Sequence, residues 1–151
     1  MTTPSQGGFL LSKIHQLSGR IFNRLLREYG IEIVNSAQGR ILFVLWQQDG
    51  IPIQELARAT SLGKSTLTSM LDRLEQAGFI RRVPSKDDRR KILIYRTEKD
   101  RAFQDQYLKI SEEMTGIWYR DFSKKDIDVF EGLLEKVFDN LEVSEALGKA
   151  S

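Results

Sequence analysis

The chain has 151 residues, no cysteine, 40% hydrophobic and 29% charged side chains, which fits about one globular domain and excludes collagen-like, disordered and thiol-based designs. Its longest uncharged apolar run, Ile41 to Trp46, is far short of the roughly 18 residues that span a bilayer, and no secretory pattern follows Met1; a cytoplasmic protein with no membrane partner is expected. The net charge is only +2, yet residues 51–97 hold 10 basic against 5 acidic groups and residues 98–151 hold 8 against 13, a basic middle suited to a polyanion.

Met1 to Gly8 is small and polar and reads as a disordered tail over residues 1–8. From Phe9 to Tyr29, Leu10, Ile14, Leu17, Ile21 and Leu25 recur every three or four residues, one stripe of an amphipathic helix that Gly30 stops. His15, the single histidine, lies one position off that stripe and reads as a surface or interface residue. Asn35 or Ser36 can cap a second helix that closes at Asp49-Gly50. Pro52 opens a short helix over residues 53–60, where its missing N–H costs nothing. Ser61-Leu62-Gly63 is a tight turn, and the next helix runs from Lys64 or Ser65 to Gln76, ended by Gly78. Two short helices joined in this way form a helix-turn-helix.

Beyond Gly78 the period drops to two. Phe79 to Val83 and Ile92 to Thr97 read as paired strands, with the polar and charged run Pro84 to Lys91 between them. A hairpin with a basic tip directly after a helix-turn-helix is a winged helix. The rest is helical: Phe103, Tyr107, Ile110, Met114 and Ile117 mark one long helix, with Gly116 as a weak point. Ser123 and Asp126 open another helix with the stripe Ile127, Phe130, Leu134, Val137 and Leu141, and a small polar tail follows Val143. The fold class is therefore mainly α with a small β-hairpin wing. The expected organisation is a winged helix-turn-helix over residues 35–97, flanked by helical dimerisation segments at 9–34 and 98–143.

No Gly-rich phosphate loop, GxSxG or HExxH occurs, and carboxylates scattered over a surface mark no catalytic pair. No enzyme, metal site or cofactor is expected. On a helical wheel of about 100° per residue, Leu67, Met70, Leu71 and Leu74 share one face. Ser65, Ser69, Asp72 and Gln76 take the opposite face, with Thr66, Thr68 and Arg73 at its flanks. Short hydroxyls let such a helix enter a DNA major groove about 12 Å wide. Lys64 and the free N–H groups at the helix start suit a phosphate, while Ser65, Thr66, Thr68 and Ser69 suit base edges. Arg73, beyond the first two turns, suits a phosphate. Arg89 and Arg90 on the wing can enter a narrow minor groove, and Asp88 beside them makes sense if it pairs with and orients an arginine.

The run from Glu55 to Thr97, above all KSTLTSMLDRLEQAG followed by a DRR wing and Thr97-Glu98-Lys99, resembles the MarR family of regulators, and the flanking helices extend the likeness over residues 9–141. The resemblance implies a homodimeric winged-helix transcription regulator, usually a repressor, on a pseudo-palindromic operator of double-stranded DNA. It also implies interleaved terminal helices and a small phenolic or lipophilic effector. Asp88 and Arg90 match the family's Asp-x-Arg wing pair, and Ser65, Thr66, Thr68 and Arg73 match positions that commonly touch DNA. Three departures stand out: Gly63 replaces a capping serine, Pro52 a Thr or Ser, and Ser69 a frequent arginine, which shifts discrimination toward DNA shape. Absent cysteines exclude the thiol-based peroxide-sensing branch, and a lone histidine argues against the zinc-sensing one. Independently, wide apolar stripes at both ends of the sequence, with Phe9, Phe22, Trp118, Phe130 and Phe138, exceed what a small winged-helix core can cover and call for a second copy. The alternative from another class is a winged-helix module that binds protein.

Overall fold

The computed structural model describes residues 3–31 and 36–150. Its elements run α1 (Gly7–Glu28), α2 (Ser36–Gln47), β1 (Ile51–Pro52), α3 (Ile53–Thr60), α4 (Lys64–Gln76), β2 (Ile80–Pro84), β3 (Ile92–Arg96), α5 (Glu98–Trp118) and α6 (Lys124–Ala150). The chain is mainly helical with one small antiparallel sheet, in a winged helix-turn-helix arrangement. Ser36 is the first residue of α2, whereas Asn35, the other cap candidate, and the boundary near residue 34 fall outside the described residues.

The helix-turn-helix forms where the residue types dictate. Pro52, extended at φ −61° and ψ 146°, is the N-cap of α3, and Ser61 closes that helix in the left-handed region at φ 57°. Gly63 caps α4 with no side-chain hydrogen bond, so the missing serine does leave that helix start bare. Gly78, at φ +87°, turns the chain out of α4, and Phe79 N–H closes the turn on the Leu74 carbonyl at 2.9 Å. Positive φ is nearly free only for glycine, so the end of α4 is fixed by that one residue.

The sheet has three strands rather than the two expected, in the order β1-β3-β2. β2 and β3 form the hairpin, with Arg82 opposite Ile94 and Val83 opposite Leu93. The third strand is only Ile51 and Pro52, paired with Ile94 and Leu93, which ties the entry of α3 to the wing. Proline is tolerated there because an edge strand needs no donor on its outer side.

Leu42, Leu45, Leu56, Leu67, Leu71, Leu74, Ile80 and Ile94 are fully buried, so the core lies where α2, α3 and α4 close on the sheet. As the wheel required, Leu67, Leu71 and Leu74 point inward, with Met70 half-buried, while Ser65, Ser69, Asp72 and Gln76 stay exposed. An aromatic chain joins Phe22, Trp46, Tyr107, Phe103 and Phe79 through ring contacts of 5.1–5.6 Å, edge-on or tilted as ring quadrupoles favour. Gly39 is required here, because a Cβ would collide with the Tyr107 hydroxyl.

The flanking helices are longer than their sequence signals. Gly7 and Gly8 already belong to α1, so the expected tail over residues 1–8 is two residues too long. α6 runs on to Ala150, past the tail expected after Val143, because Leu147, Lys149 and Ala150 are good helix formers. Ser123 and Asp126 make a reciprocal capping box, the Ser123 hydroxyl accepting from Asp126 N–H at 3.0 Å and the Asp126 carboxylate from Ser123 N–H at 3.1 Å. The chain divides into compact units of residues 1–112 and 113–151, and α5 continues through Gly116 across that division. Within α1, Phe9, Leu10 and Leu17 are exposed, and within α6 so are Leu133, Val137, Phe138, Leu141 and Leu147.

Candidate nucleic-acid interface

α4 presents an open groove of about 630 Å³ lined by Lys64, Ser65, Thr68, Ser69 and Asp72. Thr66 and Arg73 are exposed beside it. The sequence therefore placed the hydroxyl-bearing face correctly, and the first α4 turn offers free N–H groups next to Lys64. One assignment narrows. The Thr68 hydroxyl donates to the Lys64 carbonyl at 2.9 Å, so toward a base edge it is left to accept.

The wing tip is ordered by its own polar atoms. Ser85 N–H donates to the Lys91 carbonyl and Lys91 N–H to the Asp88 carbonyl, each at 2.9 Å. The Ser85 hydroxyl accepts from the Asp87 and Asp88 N–H groups at 3.3 and 3.4 Å. Asp88 Oδ1 accepts from the Arg90 backbone at 3.1 Å and from Arg90 Nε at 3.2 Å. Those bonds hold the Asp88 carboxyl below its usual range, the Arg90 side chain contributing most. The Asp88–Arg90 pairing expected from the sequence is thus present, and it leaves the Arg90 side chain 91% exposed. Arg89 is exposed beside it and has no carboxylate partner among the described residues.

Three supporting features escaped the sequence reading. The first joins α4 to the wing: Arg82 Nη2 lies 2.6 Å from Asp72 Oδ1 and 2.8 Å from Glu75 Oε1, while Arg82 backbone N–H donates to Glu75 Oε2 at 3.0 Å. Arg82 hydrogen bonds lower the Glu75 pKa, and the Glu75 bond raises that of Arg82. The second joins β3 to α5. Asp100, fully buried, accepts from Arg96 Nε at 2.6 Å and from Trp46 Nε1 at 3.0 and 3.1 Å. Its pKa is nevertheless raised, because desolvation outweighs these partners. The third is at the end of α4, where Thr97 donates its hydroxyl proton to the Gly78 carbonyl at 2.6 Å and Lys99 Nζ donates to the Ala77 carbonyl at 2.5 Å. These contacts fix the direction of α4 and the hairpin relative to one another.

Comparison with known proteins agrees with this geometry. Residues 34–92 match the MarR family model. The chain is 33% identical over 86 residues to the transcriptional regulator TtmR of Methylorubrum extorquens, covering 57% of this chain and 43% of that protein. It is 29% identical over 131 residues to the regulator PecS of Dickeya dadantii, covering 84% and 76%. Among solved structures, a mutant MarR from E. coli in complex with operator DNA superposes with a TM-score of 0.77 at 26% identity, over 86% of this chain and 91% of that one. Among the described residues no helix is long and apolar enough to cross a membrane, and no cluster of His, Asp and Glu could hold a metal.

Proposed function

Taking as premise that the chain belongs to the MarR family of transcriptional regulators, we propose that it is a sequence-specific repressor. It binds a pseudo-palindromic operator as a homodimer, with α4 in the major groove and the wing arginines in the minor groove. One observation carries this reading. α4 offers an open face of Ser65, Thr66, Thr68 and Ser69 between Lys64 and Arg73, and an ordered wing on the same unit displays Arg89 and Arg90 to solvent. Hydroxyls at the N-terminal turns suit base edges, Lys64 and Arg73 suit phosphates, and a guanidinium on a projecting loop suits the strongly negative minor groove.

Support for the dimer comes from the apolar side chains that α1 and α6 leave uncovered, since such faces on a small protomer call for a partner surface. Two-fold symmetry would set the two α4 helices about 34 Å apart, one turn of DNA. The resemblance to the family implies release by a small phenolic or lipophilic effector, which would act by favouring a form with the wrong spacing.

The test is selection of duplexes from genomic fragments by the full chain, followed by fluorescence anisotropy against the recovered sequence and a random duplex. Tight, steeply salt-dependent binding with preference for the recovered sequence is expected. Equal, weak binding to both would refute a sequence-specific regulator.

A further inference from the structure

On the DNA-binding reading above, we propose that Arg82 is a positioning residue for DNA recognition. It neutralises Asp72 and Glu75 on the recognition helix and ties that helix to the first strand of the wing, without itself touching DNA.

Asp72 is a liability where it stands. It lines the groove with Lys64, Ser65, Thr68 and Ser69, and its side chain is 52% exposed. A bare carboxylate there would meet the phosphates, with Glu75 one turn further adding to the same field. Arg82 answers both acids at once. Its Nη2 lies between them, its Nε donates to Glu75 Oε1 at 3.2 Å, and its backbone N–H donates to Glu75 Oε2 at 3.0 Å. A lysine would keep the charge but lacks the second nitrogen, Nε, whose bond to Glu75 Oε1 fixes the plane of the guanidinium. The neighbouring Arg81 cannot take over, because side chains alternate across a strand and Arg81 is exposed on the other face.

The same bonds bridge a joint. α4 leaves through Ala77 and Gly78, and a glycine at φ +87° is the most permissive hinge the backbone offers. The hairpin carrying Arg89 and Arg90 starts directly after it. Because Glu75 on one side of the joint holds both the main chain and the side chain of Arg82 on the other, that pair braces the angle between the recognition helix and the wing, together with the Thr97 and Lys99 bonds to Gly78 and Ala77. The lowered pKa of Glu75 and the raised pKa of Arg82 keep both groups ionised at neutral pH.

The experiment compares the full-length wild-type chain with Arg82→Gln, Arg82→Lys and the triple variant Asp72→Asn/Glu75→Gln/Arg82→Gln. The probes are a duplex of about 30 base pairs, roughly three helical turns, recovered by wild-type selection, and a random duplex of equal length. Binding is measured across a salt series. Arg82→Gln should lose about tenfold in affinity at an unchanged salt slope, and the triple variant should return to within about threefold of wild type because the exposed acids are gone. Should Arg82→Gln fail to fold, Arg82→Lys keeps a cation at the site and should still bind several-fold more weakly than wild type. The proposal is overturned if the variant that folds binds like wild type. It is equally overturned if the triple variant stays as weak as Arg82→Gln, whatever its slope; a slope shallower by about 0.9 per subunit would mark a direct phosphate contact instead. No salt-dependent binding by the wild-type chain would instead sink the DNA-binding reading on which this one rests.

Discussion

Replacing Arg90 with alanine isolates the contribution of the wing tip, because almost nothing else depends on that side chain. It is 91% exposed and its ion-pair partner is Asp88. The loop keeps its shape without it, since the Arg90 backbone N–H still donates to Asp88 Oδ1 and the Ser85 bonds remain. The melting temperature should therefore stay at the wild-type value. The loss should appear in DNA binding. Each phosphate neutralised contributes about 0.9 to the slope of log K against log salt, and a dimer has two wings, so the slope should become shallower by about 1.8. Between about 50 and 200 mM salt, a change of about 0.6 in log units, the disadvantage of the variant should shrink by about tenfold. Anisotropy titrations on the selected and the random duplex measure this directly, and both should weaken, because a backbone contact carries no sequence information. Parallel lines for variant and wild type, with one constant deficit at every salt concentration, would show that the wing tip does not sit in a groove.

Thr66→Val keeps the branched shape and a methyl group but removes the hydroxyl, so it should change which bases are preferred, costing about 1–3 kcal/mol at one position of the site; equal losses on selected and random duplex would contradict a base-reading role. Glu75→Gln should lower stability at neutral pH and converge with wild type in acid. Arg82 holds the folded pKa of Glu75 below its ordinary value of 4.5, so the pair stabilises the fold fully above that value and is lost as pH falls through the lower folded value; thermal melts from pH 7 to about pH 3 should show a flatter acid limb for the variant, and identical limbs would refute the linkage. Replacing Phe138 and Leu141 by glutamate, residues already exposed in the protomer, should convert a dimer into folded monomers by light scattering and abolish operator binding; a stable wild-type monomer at micromolar concentration would remove the premise.

The parts of the molecule that could be read from sequence are those governed by local rules. The 3.6-residue stripe through Leu67, Leu71 and Leu74 fixed the inward face of α4, and the same wheel located its exposed hydroxyls. Gly78 marked the end of that helix because few other residues adopt its backbone angle. The switch to a period of two announced β2 and β3. Long-range pairings were not legible. β1 is two residues long, too short to show any period, and exists only because Ile51 and Pro52 lie beside β3. Asp100 sits in a polar stretch, Thr97-Glu98-Lys99-Asp100, that looks solvated in sequence; only the fold brings Trp46 from 54 positions away to cover it. Arg82 reads as one more wing cation until the turn at Gly78 sets it against Asp72 and Glu75.

That difference alters what the basic middle segment means. Counting its 10 basic and 5 acidic groups treats every charge as equally available, whereas the structure sorts them. Arg82 is consumed by Asp72 and Glu75, and Arg96 by Asp100. Of the remaining acids in the segment, Asp88 is held by Arg90, Glu55 lies in the first turn of α3, where the helix dipole favours a negative charge, and Asp87 stays exposed on the wing with no cation partner among the described residues. Arg58, Lys64, Arg73, Arg81, Lys86, Arg89 and Lys91 pair with no carboxylate among the described residues and are exposed. Lys64 and Arg73 belong to α4, and Lys86, Arg89 and Lys91 to the wing loop. The field that would meet a duplex thus comes from the exposed cations of α4 and the wing, Arg90 included, with two of the nearest acids, Asp72 and Glu75, already answered by Arg82. A net charge of +2 can therefore serve a polyanion-binding protein, because exposed cations gather where the DNA would lie.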